Sequence, residues 1–254
     1  MTAKPVNMVF IGYYPPMPDP NDVPPPPETQ PAPAALAPMR IGEHPALDFA
    51  NTLAAPAEVL LDFLATPAAL LDWLAGTPEL TDAHALAQQA GARGELDAAL
   101  AAVQALRAAW RSALPRLADA GARAALQETL NLWLAAGRGH WQLVAQDGAL
   151  RLLHVTDYTG PDSVAAAIAA VLAGLLAEVP ATEVRKCENP ACVLWFRDTS
   201  KRGNRRWCSM AACGNRAKAA AHRGILTLDF VDVVDGAIGD QDVEQQQITR
   251  RVAR

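Results

Sequence analysis

Between residues 40 and 182, apolar side chains recur at steps of three and four. The clearest run is 95–114. There Leu96, Leu100, Val103, Leu106 (or Arg107) and Trp110 fall on one side of a helix of about 3.6 residues per turn. Pro115 ends or kinks that helix. Residues 122–136 repeat the pattern with Leu126, Leu130, Trp133 and Leu134, and Gly137 stops it. Pro67 opens a shorter helix through Leu70, Trp73 and Leu74 that ends before Gly76. Thr81 or Asp82 stands where a cap for the next helix is needed, and residues 163–177 form the last helix of this region.

One stretch breaks the helical rhythm. Residues 140–146 and 149–155 are two β-prone runs flanking Asp147-Gly148, a dipeptide that tolerates positive φ and closes tight hairpins. The expected fold is therefore mainly α, a helical domain (40–182) with one β-hairpin. Residues 1–39 hold 12 of the 20 prolines and are expected to be a disordered or polyproline-like tail. No apolar run is long enough and free enough of charge to span a bilayer, and no secretory signal is visible, so a soluble cytoplasmic chain with no membrane partner is expected.

After residue 182 the signal changes from periodicity to chemistry. All four cysteines of the chain lie here, as Cys187-x4-Cys192 and Cys208-x4-Cys213, fifteen residues apart. Two pairs separated by a loop suit a tetrahedral thiolate site, one knuckle from each pair. A disulfide framework would need an oxidising compartment, and a redox dithiol favours a two-residue gap. Four thiolates also leave no open position, so the ion expected is a structural Zn2+.

On a regular helix, residues five apart are about 140° out of phase, so Cys208 and Cys213 cannot both face one ion from mid-helix. Cys208 is expected at a strand end or turn, with Ser209 as N-cap and Cys213 in the first turn of a helix. The first pair is expected to form a knuckle around Asn189-Pro190, with Trp195 and Phe196 in a short strand after it. This predicts a small treble-clef-like zinc finger (183–223), a short β-hairpin plus helix. Gly214 inside that helix suggests a close backbone approach to the knuckle, and Asn215 a hydrogen bond to the knuckle's backbone. Trp195 and Trp207 are expected to pack in the small core.

Charge is sharply segregated. Residues 185–223 carry ten Lys and Arg against Glu188 and Asp198, a net +8, while the remainder carries −13 within a chain total of −5. A zinc ion with four thiolates balances only two of those charges. A polyanionic partner follows, a nucleic acid ahead of plain solvated surface. The candidate contacts are Arg197, Lys201, Arg202, Arg205 and Arg206 in the loop, and Arg216, Lys218 and Arg223 on the helix.

These residues resemble a known family. Cys213-Gly214-Asn215-Arg216, preceded by Arg205-Arg206-Trp207-Cys208-Ser209-Met210, is the signature of the CGNR zinc finger. The run Gly42-Glu43-His44-Pro45-Ala46-Leu47-Asp48-Phe49-Ala50-Asn51-Thr52 resembles the opening of the ABATE domain that accompanies this finger in bacteria. The resemblance covers about residues 40–223 and implies a stress-induced transcription regulator whose finger binds DNA. The 224–254 extension departs from that pattern; it is acidic and then polar, and is expected to be flexible.

The helical domain is larger than a scaffold for a finger needs to be, which suggests that it senses a small-molecule effector or forms a homodimer. A pocket is expected around His44, Asp48 and Asn51. No nucleophile–base pair or phosphate loop accompanies them, so catalysis is not expected. A finger that binds RNA or protein is the competing reading.

Overall fold

The computed structural model describes residues 29–33, 36–55, 59–146 and 148–220. The proline-rich start up to residue 28, Arg223 and the 224–254 extension lie outside these residues.

A layer of α-helices packs around a mostly aliphatic core. Helix α1 (Pro45–Ala50) is short and buries Ala46, Leu47, Phe49 and Ala50. Two short strands follow, β2 (Leu53–Ala54) and β3 (Leu61–Asp62). They pair antiparallel, and β1 (Gln30–Pro31) adds parallel to β3. Ordered structure therefore reaches back into the proline-rich segment, where Ala32 and Met39 pack against the finger's core.

Helix α2 (Pro67–Ala75) begins as the sequence predicts. Pro67 occupies the first turn, the Thr66 hydroxyl accepts from the Ala69 N–H, and Gly76 is the C-cap. Helix α3 (Thr81–Ala92) does not use Thr81 or Asp82 as its N-cap. A 3-10 turn from Pro78 leads directly into it, and the Thr81 hydroxyl instead donates back to the Pro78 carbonyl. Helix α4 (Leu96–Ala113) is the central element and buries Leu100, Val103, Leu106 and Trp110. Pro115 tightens its end into a 3-10 turn. Helix α5 (Ala120–Leu134) starts earlier than the periodicity suggests, because Asp119 caps it through the Ala122 N–H. Helix α6 (Asp162–Glu178) packs against α3, α4 and α5 and completes the layer. None of these helices is long and apolar enough to cross a membrane.

Arg107 resolves the ambiguity at its position on α4. It is buried and forms a two-pronged ion pair with Asp62 on β3, both N···O distances being 2.7 Å, and it also donates to Thr52. Arg111, one turn later, donates to the carbonyls of Ala50 and Leu53. Together they tie the small sheet and the end of α1 to the helical layer. Asp62 supplies the opposite charge that burying Arg107 requires.

Strands β4 (Gly139–Gln146) and β5 (Ala149–Thr156) form the predicted hairpin, with Gln146 opposite Ala149 and Gly148 at φ +77°. Strand β5 touches α3, but no described side chain between 140 and 155 joins a buried cluster.

The finger follows α6. Strands β6 (Val184–Lys186) and β7 (Trp195–Arg197) pair antiparallel, and the Cys187–Cys192 knuckle is the loop between them. The strand after the knuckle is as expected; its partner precedes the knuckle rather than following it. Trp195 belongs to the helical domain's core, while Phe196 belongs to a second core made with the four cysteines, Ala54 and Phe63. The finger and the helical domain thus share buried side chains.

Candidate metal centre and the surface around it

The four sulfurs come from two short segments. Cys187 and Cys192 flank a turn in which the Cys192 N–H bonds the Asn189 carbonyl, and the Cys187 N–H bonds the Leu194 carbonyl. Cys208 precedes the Ser209 N-cap, whose hydroxyl accepts from the Ala212 N–H. The phase problem between Cys208 and Cys213 is solved by the backbone. Residues Met210–Gly214 form a π turn, closed by a bond from the Gly214 N–H to the Ser209 carbonyl of 3.0 Å, before α-helix resumes over 215–220. A widened turn brings two positions five apart closer in phase than a regular helix allows.

All four sulfurs lie within 4.8 Å of one another and all four cysteines are buried. The Cys192–Cys208 and Cys208–Cys213 separations are 3.8 and 3.7 Å. A tetrahedron with zinc–sulfur bonds of about 2.3 Å has sulfur–sulfur edges of about 3.8 Å, whereas a disulfide needs about 2.05 Å. The donor set and spacing fit a closed, structural zinc centre. Outer bonds point at the sulfurs: the Cys208 N–H reaches Cys187 at 3.5 Å and the Asn189 amide reaches Cys213 at 3.4 Å. Such donors stabilise thiolate charge and orient the ligands. Between metal-free thiols, Cys192 is pulled down to about 5 by hydrogen bonding from Cys208, and that same sharing, with burial, pushes Cys208 up. Zinc binds thiolates, so its entry releases whatever protons the sulfurs carry.

Gly214 and Asn215 do not engage the knuckle. A Cβ on Gly214 would sit 2.7 Å from the Met210 sulfur and 3.3 Å from the Trp207 ring, so the crowding comes from its own turn. Asn215 donates to the Ala211 carbonyl at 3.3 Å, within its own helix. The residue that reaches a thiolate is Asn189, which also accepts from the Ala191 N–H.

The basic residues divide into two sets. Arg205 is structural. Its guanidinium lies 4.5 Å over the Phe196 ring, donates to the Trp207 and Cys208 carbonyls, and pairs with Glu43 of the helical domain at 3.1 Å. Arg197 is held by Glu183 at 2.8 Å. Arg206 stacks on Trp207 and pairs with Glu188, yet remains exposed. Trp195 is buried and Trp207 half-buried beneath Arg206. Lys201, Arg202, Arg216 and Lys218 are exposed, and no acidic side chain among the described residues pairs with them. Arg205 and Arg197 thus carry structural bonds: Glu43 and two carbonyls hold Arg205, and Glu183 holds Arg197.

Asp198 anchors the loop that presents Lys201 and Arg202. Its buried carboxylate accepts from the Ser200 N–H and hydroxyl and from the Arg205 N–H, and Arg185 lies at 3.5 Å. Burial opposes its charge, but those bonds and Arg185 hold it below the usual carboxylate range. The Asp198-x-Ser200 spacing is an Asx-turn signal that would have identified it in the sequence.

The expected pocket does not hold its three residues together. His44 and Asp48 border an open hollow of about 420 Å³ with Arg40, Glu43, Thr77 and Glu79. Both also serve the local backbone. His44 caps α1 by accepting from the Ala46 N–H, and Asp48 accepts from the Gly42 N–H. Burial lowers the His44 pKa, reinforced by Arg197, and burial raises that of Asp48. Asn51 is not in the hollow. It is fully buried and acts as a clasp, its amide donating to the Trp195 carbonyl and accepting from the Trp195 N–H, both at 2.9 Å. The Gly42 carbonyl accepts from the Arg197 N–H at 2.8 Å. The 42–52 motif is therefore the seam that fixes the helical domain to β7.

Fold and site together define a helical domain carrying a four-thiolate structural zinc finger. Residues 43–179 match the ABATE family model, described as "Putative stress-induced transcription regulator", and residues 183–224 match the CGNR zinc finger. The chain belongs to the ABATE family and carries a CGNR finger after that domain. No curated protein matches it.

Proposed function

We propose that the chain is a DNA-binding regulator of transcription in which zinc holds a cationic loop and helix in register. The observation that carries this is the set of exposed, acid-free cations, Lys201, Arg202, Arg216 and Lys218, with Arg206 beside them. The chain as a whole is acidic, so their concentration on the finger is not a property of the surface at large. Arg223 joins this set by sequence and lies outside the described residues. Cations of this kind contact phosphates, which gives affinity and registers the protein on the duplex. Single-stranded or unpaired RNA is the weaker reading, because stacking needs exposed aromatic faces and both finger tryptophans are engaged in the fold. A polar effector would be received in the hollow beside His44 and Asp48.

The test is fluorescence anisotropy of the full, zinc-loaded chain with duplex DNA across salt. Four or five phosphate contacts give a log–log salt slope of about −4, a loss of a few hundredfold between about 50 and 200 mM salt. The quadruple variant K201A/R202A/R216A/K218A is expected to flatten that slope to about −1 to −2 while keeping its zinc. Equal binding by this variant at low salt would sink the proposal, and preference for unpaired RNA in competition would replace it with the RNA reading.

A further inference from the structure

The ribbon formed by β4 and β5 is out of place for a lone molecule. Its strands are eight residues each, about 26 Å long at roughly 3.3 Å per residue. A two-stranded hairpin is marginally stable without something to pack on, yet, although β5 touches α3, no described side chain between 140 and 155 enters either buried cluster. Alternation places Trp141, Leu143 and Ala145 on one face of β4. The register sets His154, Leu152 and Leu150 beside them on β5. Among the described residues, this face carries no Asp, Glu, Lys or Arg. Its large members are strongly exposed: Trp141 67%, Leu143 61%, Leu150 70% and Leu152 62%.

Those four side chains present on the order of 500 Å² of apolar surface. A standard interface covers about 800 Å² per partner, and homodimer interfaces are about 65% apolar, so a stable dimer needs roughly 520 Å² of apolar surface from each side. The face also suits a two-fold arrangement. Leu143 and Leu152 are directly paired at the middle of the ribbon, so a second ribbon laid antiparallel across it meets the same leucine pair, as a self-complementary patch requires.

We propose that this face is the surface through which two copies of the chain pair. The proposal adds a two-fold assembly to the regulator described above, for which paired half-sites on DNA are the natural target. It depends on that reading for its purpose and not for its evidence.

Sedimentation velocity of the full zinc-loaded chain is expected to show a mass rising with concentration from 26.9 kDa to twice that value. The L143E/L152E variant sets like charges across both the ribbon and the interface, and the expected dissociation constant rises at least about 30-fold, the effect of removing hot-spot residues. Helical circular dichroism and zinc content of the variant should match the native chain, since neither leucine touches a core. Hydrogen exchange on the native chain needs no substitution: amides of 139–156 should slow as concentration passes through the dimer range. A native chain that stays monomeric at about 100 µM would overturn the proposal, because a face built for another protein leaves the pure chain single. A dimer that survives L143E/L152E, or one whose exchange protection lies away from 139–156, would overturn it equally. DNA anisotropy on the same variant separates the two ideas. Weakened but salt-dependent binding leaves the regulator standing whatever the mass shows.

Discussion

Replacing Asn51 by leucine tests whether the 42–52 motif is a seam or a ligand site. Asn51 is fully buried and bonds both the N–H and the carbonyl of Trp195 at 2.9 Å. Leucine keeps the branched outline but removes donor and acceptor together. The Trp195 backbone is then left with two unpaired polar groups facing α1, where water cannot reach them. Each costs about 1–3 kcal/mol, so the loss centres on about 4 kcal/mol. At about 2–4 °C per kcal/mol for a chain of this size, the thermal midpoint should fall by ~8–16 °C. Asn51→Asp keeps the acceptor and loses the donor, and it buries a carboxylate against the Trp195 carbonyl, so it should be no milder. Because β7 leads from Cys192 towards Cys208, the same change should speed zinc transfer to a chromogenic chelator. Scanning calorimetry and the chelator assay read the two effects. An N51L protein that melts within about 2 °C of the native chain and keeps its zinc as long would refute the reasoning.

Other predictions follow from the same contacts. Removing zinc, or making Cys208→Ser, should unfold the finger and expose Phe196 and Trp195 while α4 to α6 stay helical; tryptophan emission should shift red with little change in far-ultraviolet dichroism. Glycine to alanine should be severe at residue 42, where a Cβ would press on the Asp48 backbone nitrogen at 2.9 Å. It should be mild at residue 214, where the main obstacle is the mobile end of Met210; melting midpoints should differ by several degrees. His44 has a lowered pKa, so its neutral form is the one the fold prefers. Its contribution to stability is present above about pH 6.5 and is lost as pH falls below the unfolded value towards the folded one. His44→Asn keeps an N-cap acceptor without titrating, so the midpoint difference between variant and native chain should move in the variant's favour between pH 7 and pH 5.5.

Local signals carried far. The steps of three and four predicted α4 and α5, although capping by Asp119 moved the start of α5. Asp147-Gly148 predicted the hairpin and its turn. The paired cysteine spacing predicted the metal, and the phase argument correctly refused a regular helix across Cys208 and Cys213. What it missed is that the backbone itself would widen, through the π turn at Met210–Gly214.

The sequence alone determined the course of the longer helices and which four atoms grip the ion, because those depend on spacings of a few residues and on ligand chemistry. It could not apportion its own arginines. Arg205 and Arg202 read alike in a basic run, but folding sets one over Phe196 beside Glu43 and leaves the other in solvent. Nor could it tell that Asn51 faces a strand 144 positions away. Only the tertiary structure decides such partners, because hydrogen bonds and ion pairs act over a few ångströms of space, and distance along the chain says nothing about which groups arrive there.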